Sequence, residues 1–228
     1  MIGITDMNKQ GPDKIDWTDY TWNPISGCLH GCEYCYMNRL KTRFKNIMEP
    51  AFHDKRLEQP MGVKSPSFIF TGSSGDMWGR WVDPVWVENV LGVCLIGAPQ
   101  HTYQFLTKNP QKYGEFKQLK NCWYGTTVDG VANTSRNDLL LIQNTEPENF
   151  RFVSFEPLLF MPKFVEWDAL NWIIIGANSN KGAKKPPTEY ATTLIKEAHK
   201  RSIPVWVKNN YGYPETIKER PEKYIQGQ

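Results

Sequence analysis

Residues 28 to 35 read Cys-Leu-His-Gly-Cys-Glu-Tyr-Cys, which places Cys28, Cys32 and Cys35 in one short loop at spacings of three and two intervening residues. Three thiols cannot close as one disulfide, so a shared soft metal centre is the natural chemistry for them. A structural zinc site takes four protein ligands, usually as two closely spaced pairs. No second pair exists here, because Cys94 and Cys122 stand alone. A four-iron cluster is ordinarily held by four thiolates. Three thiolates leave one iron open to bind a small molecule, which is how a reactive centre is built. A Cys3His zinc site using His30 is a second reading, although His30 sits two residues from the cysteine on either side and the loop is short. Three thiols filling a core is a third, and Gly27 and Gly31 make such a loop a poor core element.

A loop of this kind needs a frame, and the chain supplies one. The stretch from Asp16 to Pro24 is aromatic and β-prone and runs into the cysteines. Further short apolar runs follow at 68–72, 103–107, 123–128, 152–156, 172–176 and 203–208, each ending in small or polar residues. Between them the spacing predicts helices over 36–48, 84–96, 110–119, 132–143 and 188–201. The connection after Pro157 shows no clear helical pattern. Strands alternating with helices predict an α/β fold with a parallel sheet. Seven visible strands are one short of a closed eight-stranded barrel, so the expectation is a partial or irregular (β/α) barrel of about six to seven parallel strands, with a doubly wound sheet as the alternative. One domain is expected over 1–228, with a polar tail from about residue 209 that wraps the outside.

In parallel βα folds the site lies at the carboxyl ends of the strands. The cysteine loop follows the first strand, so the other strand ends should complete its pocket. The second strand ends in Thr71-Gly72-Ser73-Ser74-Gly75-Asp76, a turn in which backbone can approach a ligand closely and Asp76 can face a substrate. Lys108 follows the third strand and can meet a carboxylate or phosphate. Thr126, Thr127 and Asp129 end the fourth and suit a ribose. Glu156 ends an apolar strand and is locked by Pro157, a position that favours a site residue over a surface one. Lys181, Lys184 and Lys185 follow the sixth strand in a small-residue loop suited to an anion. Lys208 follows the seventh.

Cys28-x3-Cys32-x2-Cys35, with Tyr34 before the last cysteine, resembles the signature of the radical S-adenosylmethionine (SAM) superfamily. The resemblance implies that the three cysteines hold a [4Fe-4S] cluster and that its open iron chelates SAM. It further implies that one electron cleaves SAM to a 5′-deoxyadenosyl radical that abstracts hydrogen from a substrate. An external flavodoxin- or ferredoxin-like electron donor is implied as partner. On the same basis the cofactor-binding positions are Tyr34 near the adenine, Thr71, Gly72 and Ser73 at the methionine amino group, and Thr126, Thr127 and Gly176. Asp76, Lys108, Glu156 and Lys208 then line the substrate cavity as the catalytic set. The blocks Trp22-Asn23-Pro24, Leu106-Thr107-Lys108-Asn109-Pro110, Ser154-Phe155-Glu156-Pro157-Leu158 and Trp172 to Gly176 are similar to a family of short phage- and bacteria-associated radical-SAM-like proteins. That family is distantly similar to spore photoproduct lyase, a DNA-repair enzyme. Two departures stand out. Gly176-Ala177-Asn178-Ser179-Asn180 replaces the family's Gly-Gly-Glu-Ser-Gly and lacks its carboxylate, and Lys208-Asn209 replaces Lys-Gln.

Composition sets the remaining bounds. With 40% hydrophobic and 13% aromatic residues a core can form, and disorder is not the default. Net charge is +3, which permits nucleic-acid contact without demanding it. Five cysteines, three of them clustered, fit a reducing compartment. The sequence holds no run of about 18 apolar residues, and Met1 to Gly11 has no signal-peptide core, so a cytoplasmic protein without a membrane span is expected. Cations along the rim, with Trp78 and Trp81 as exposed aromatics, point to a nucleotide or nucleic-acid substrate. The competing reading is a non-catalytic, metal-stabilised nucleic-acid-binding module. A plain electron carrier is disfavoured, since it would not need so many polar strand ends.

Overall fold

A computed structural model describes residues 6–221 of the chain. The first residues of the expected signal-free N-terminus and the last residues of the tail therefore lie outside the described part. Ten strands follow in chain order: β1 (Asn8–Lys9), β2 (Tyr20–Trp22), β3 (Ile25–Ser26), β4 (Ala51–Phe52), β5 (Phe68–Thr71), β6 (Thr102–Thr107), β7 (Cys122–Thr127), β8 (Phe150–Phe155), β9 (Trp172–Ile175) and β10 (Val205–Val207). Eight of them form one sheet in the order β1-β2-β5-β6-β7-β8-β9-β10, and β3 pairs with β4 separately. All seven strands from β2 to β10 in that sheet run parallel, and only the two-residue β1 is antiparallel. Neighbours along the sheet are also successive in the chain, so the strand order never reverses. That excludes a doubly wound sheet, whose order reverses at a switch point. It leaves an open α/β sheet consistent with a partial (β/α) barrel.

The two faces of the sheet have different partners. One face presents Ile69, Tyr103, Phe105, Val153, Ile173 and Ile175 to the helices. Helix α1 (Pro84–Gly92) begins where the Asp83 carboxylate accepts from Val85 N and Pro84 occupies the first turn, both standard start signals. It buries Val87, Val90 and Leu91. Helix α2 (Asn137–Gln143) is short, and α3 (Thr188–His199) buries Ala191, Leu194, Ile195 and Ala198 at helical spacing. Among the described residues, the opposite face is filled by side chains instead of a helix. Trp17, Phe70, Trp123, Phe152, Trp172 and Trp206 pack there as a second cluster. Trp17 packs in it with ring centroids 4.7 Å from Phe70, 6.3 Å from Phe152 and 6.1 Å from Trp172.

The tail closes this aromatic face rather than merely wrapping the outside. Trp206 bridges to Lys218, and the Lys218 ammonium reaches Asp16 at 2.5 Å. Asp16 also accepts from Trp206 Nε1 at 3.1 Å. The Arg220 guanidinium lies over both Phe68 and Trp206.

Three expected helices take other forms. Over 36–48 only Tyr36–Leu40 is helical, as a 3-10 segment, and the remainder is turn. A regular helix of that length would run roughly 20 Å and carry Met48 away, whereas Met48 O accepts from Cys28 N at 2.9 Å. Over 110–119 a 3-10 helix ends at Glu115 and Phe116 is already extended. The helix expected over 132–143 is divided, with a 3-10 turn at Ala132–Thr134 and α2 from Asn137. No helix among the described residues is long and apolar enough to cross a membrane.

Trp17→Ala removes three ring contacts from a core with no helix to refill the space. We expect a loss of about 3–5 kcal/mol, read as a lower urea midpoint with far-ultraviolet circular dichroism retained. A loss under about 1 kcal/mol would show that the aromatic face does not depend on it.

Candidate functional site

The parallel register brings the ends of β2 and β5 side by side, with Trp22 opposite Thr71. Beyond them Gly27 and Gly75 form one more bridge. Gly27 N donates to Ser74 O at 3.0 Å and Asp76 N to Gly27 O at 3.2 Å. A Cβ on Gly27 would lie 2.1 Å from Glu49 O, and one on Gly75 2.6 Å from Gly27 O. Gly27 also has φ +86°. Glycine is required on both counts, and this contact starts the cysteine loop against the end of β5.

Cys28, Cys32 and Cys35 are free and half-buried, whereas Cys94 and Cys122 are buried in the core. The three loop thiols line one cavity of about 670 Å³, within the usual range for small-molecule sites. Burial pushes the Cys28 thiol up to about 12, and the charges of Asp76, Cys32 and Cys35 add to the push. Burial also raises Cys32, against the opposing influence of Lys108 and Tyr34. The thiols are thus close enough to act on one another, and a metal binding there must displace their protons.

Polar residues from several strand ends grip the loop. Asp76 is buried, yet its carboxylate is fully used. It accepts from the Thr107 hydroxyl at 2.8 Å, Lys108 N at 3.1 Å and Trp78 N at 3.0 Å, and pairs with His30 Nε2 at 2.7 Å. The Tyr34 hydroxyl donates to Asp129 and receives a hydrogen bond from Lys108. Lys108 and Asp129 are ion-paired at 2.6 Å, with Asp129 1% exposed. Burial drives the Asp129 carboxyl upward, but hydrogen bonds from Lys108, Thr134 and Tyr34 outweigh it and leave the group below the usual range. The Tyr34 phenol is held well above its ordinary value by burial and by Asp129. From the β9 side, Asn180 Nδ2 donates to Tyr34 O at 2.9 Å. From the β5 side, Ser73 O accepts from the Tyr36 hydroxyl at 2.8 Å.

Of the other expected residues, Gly72, Ser73, Thr127, Glu156 and Lys208 line the same cavity. Lys208 Nζ lies 2.5 Å from Glu156 Oε1. Gly176 stands behind this pair, where a Cβ would sit 2.7 Å from the Glu156 carboxyl carbon. Its role is to make room for Glu156, not to line the cavity. Thr126 is buried in the sheet with its hydroxyl donating to Thr107 O, and Thr71 is buried behind the turn. Neither reaches the cavity wall. Trp78 is not an exposed rim aromatic. It is 1% exposed and packs edge-on against Phe105, Tyr113 and Phe116. Trp81 is half-buried with its ring 4.8 Å from that of His30.

The donor set is soft. Three soft thiols on one loop, facing a cavity beside a backbone turn, fit a cluster whose irons each take one thiolate. Among the described residues no three His, Cys, Asp or Glu side chains are gathered closely enough to hold a metal ion, so the thiols would have to draw together around either a single ion or a cluster. His30, needed for a Cys3His zinc site, is engaged by Asp76 instead.

Sequence reasoning missed Asn180 as a tether and the Asn8, Gln10 and Lys14 segment as a wall of the cavity. No motif marks either. The Asp76 cluster was visible only as an acid after a turn.

A model of the family described as protein of unknown function (DUF5131) matches residues 12–228. No curated protein matches the chain. Among solved structures, a cysteine-to-alanine mutant of spore photoproduct lyase with dinucleoside spore photoproduct matches with a TM-score of 0.50 and 10% identity, over 88% of this chain and 55% of that one. The chain thus spans about half the length of that protein, and at this identity the likeness concerns the fold alone.

Lys108→Met leaves Asp129 buried without its cation. We expect a loss of about 3–5 kcal/mol at neutral pH. In the wild type, the lowered Asp129 contributes stability that is complete above the unfolded value near 3.9 and is lost as pH falls through the folded value. Without Lys108 the carboxyl titrates higher, so the deficit of the variant should shrink on acidification. Urea unfolding across pH 3 to 8 reads this, and a deficit independent of pH would exclude the ion pair as its cause.

Proposed function

The chain belongs to the family of proteins of unknown function described as DUF5131, and we propose that it is a radical SAM enzyme. The observation that carries this reading is the meeting of Cys28, Cys32 and Cys35, free and half-buried, at one cavity on the carboxyl edge of a parallel sheet. The fold shared with spore photoproduct lyase supports it. Cys28, Cys32 and Cys35 would hold a [4Fe-4S] cluster. Such a cluster, reduced by a flavodoxin- or ferredoxin-like donor, would supply the electron needed to cleave SAM to methionine and a 5′-deoxyadenosyl radical that would take hydrogen from a substrate.

The chain's own residues bind, orient and exclude water. Gly72, Ser73 and Thr127 line the cavity; the backbone of the first two would hold the polar end of SAM, and the Thr127 hydroxyl would hold its ribose. Tyr34 is held by Lys108 and Asp129, which fixes its ring beside the thiols. Asp76 acts as a positioning residue, because its oxygens are already occupied by Thr107, Trp78, Lys108 and His30. Glu156 and Lys208 form the wall nearest the sixth and seventh βα loops and are the groups left for a substrate. A nucleotide or nucleic acid is the substrate class that we favour.

Anaerobic reconstitution with iron and sulfide, followed by SAM and a strong reductant, should yield 5′-deoxyadenosine, and each of Cys28→Ala, Cys32→Ala and Cys35→Ala should abolish it. A Cys32→Ala protein that keeps its iron and still cleaves SAM would overturn the reading. Uptake of zinc alone, with no iron–sulfide chromophore, would instead favour the metal-stabilised binding module.

A further inference from the structure

Two stretches of chain border the mouth of the cavity. Residues 36–48 carry Arg39, Lys41, Arg43 and Lys45, and residues 177–188 carry Lys181, Lys184 and Lys185; neither stretch holds an Asp or Glu. All seven cations are exposed. None forms an ion pair with another described residue, although Lys108, Lys112, Arg136, Lys200, Arg201, Lys208, Lys218 and Arg220 all do. The chain as a whole is only +3, so without these seven the remainder carries −4. The net positive charge therefore resides in these two stretches, whose first residues (Tyr36, Met37 and Ala177 to Ser179) line the cavity.

The two stretches come from opposite ends of the sheet, one after β2 and the other after β9. They approach one another at the opening: Asn180 Nδ2 of the second donates to the O of Tyr34, two residues before the first, at 2.9 Å, and Tyr36 and Ser179 line the same cavity. Exposed rings stand among the cations. Phe44 is 49% exposed with the Arg43 guanidinium 5.3 Å from its centroid. Tyr36 is 40% exposed, and its hydroxyl is anchored on Ser73 O. Cations interleaved with aromatic faces form the usual platform for a nucleic-acid strand, with phosphates neutralised and bases stacked.

We propose that a nucleic-acid strand lies across this mouth, its phosphates on the two basic stretches and a base against Phe44 or Tyr36, so that one nucleotide is presented to the cavity. What becomes of that nucleotide rests on the radical SAM reading, but the binding does not.

The test measures binding and SAM cleavage separately on the reconstituted full chain. Fluorescence anisotropy with a labelled single-stranded DNA of about 20 nucleotides, longer than the roughly 4–16-nucleotide sites of single-strand binders, should show binding that weakens steeply with salt. Arg39→Gln/Lys41→Gln/Arg43→Gln/Lys45→Gln should lower affinity by about tenfold or more and reduce the salt slope by up to about 3. Its circular dichroism and melting temperature serve as the check on folding. The control Lys117→Gln/Lys120→Gln removes two exposed cations at the amino end of β7 and should leave binding unchanged. Absence of DNA binding, or equal weakening by the control, overturns the proposal. So does loss of binding to an acidic flavodoxin-type protein in the fourfold variant when DNA is not bound. If DNA binds as expected but SAM is not cleaved, the surface stands and the radical SAM reading falls. If SAM is cleaved but DNA is not bound, the radical SAM reading stands and the surface falls.

Discussion

The cysteine loop has little apolar surface of its own, and its position depends on the buried junction of Lys108, Asp129 and Tyr34. Lys108 leaves the end of β6 and Asp129 the end of β7, two strands in parallel register with Thr107 opposite Thr126. That register places the ammonium and carboxylate 2.6 Å apart before the loop arrives. Removing two charges from water is costly, and the attraction offsets it only when further hydrogen bonds occupy the remaining donors and acceptors. Here Thr134 and Val131 N bind the second Asp129 oxygen, and the Tyr34 hydroxyl completes the set. Tyr34 is one residue from Cys35 and two from Cys32. The phenol of Tyr34 is thus one of the tethers by which the sheet positions the thiols, beside the His30–Asp76 pair and the Gly27–Gly75 bridge.

A second division follows from the faces of the sheet. Helices cover one face, and the other is filled at its amino end by Trp17, Trp123, Trp172 and Trp206. The crossing of Asp16, Lys218 and Arg220 seals that end. With the amino end closed by rings and ion pairs, the open volume is confined to the carboxyl end, where β-strand registers deliver polar side chains. An open sheet can thus hold a cavity of this size without closing into a barrel.

Much of this was legible in the sequence, for reasons that differ by element. The parallel strands are largely buried on both faces and carry short apolar stretches, which is why Trp172-Ile173-Ile174-Ile175 and the Phe152 to Phe155 stretch were visible. Strands β1, β3 and β4 are two residues each and have no period to detect. The apolar spacing of Tyr36, Leu40, Phe44 and Ile47 suggested a helix, but only Met37 of the Tyr36–Leu40 segment reaches the core, so tertiary packing offered nothing to stabilise one. In the site, the three cysteines could be recognised from spacing alone. The partners of Asp76 could not, because the Thr107 hydroxyl and His30 reach it across 31 and 46 residues of chain. The same limit misplaced Trp78. Its neighbours Gly75 and Asp76 suggested a rim, whereas its ring turns inward onto Phe105 and Tyr113.

The site contains two lysine–carboxylate pairs of similar length, and their surroundings assign them different work. In the Lys108–Asp129 pair the carboxylate is 1% exposed and every oxygen is occupied, so a ligand would have to break a saturated network to enter. In the Lys208–Glu156 pair the side chains are 16% and 22% exposed, and Glu156 has beyond Lys208 only a long contact from Asn210 at 3.4 Å. That contact is near the limit of a hydrogen bond. Its geometry leaves lone pairs on Glu156 and donors on Lys208 directed at the cavity. Gly176 keeps this position open by withholding a side chain where the Glu156 carboxyl must stand. The first pair holds the thiol loop in place; the second lines the cavity with hydrogen-bonding capacity that the protein itself leaves unused.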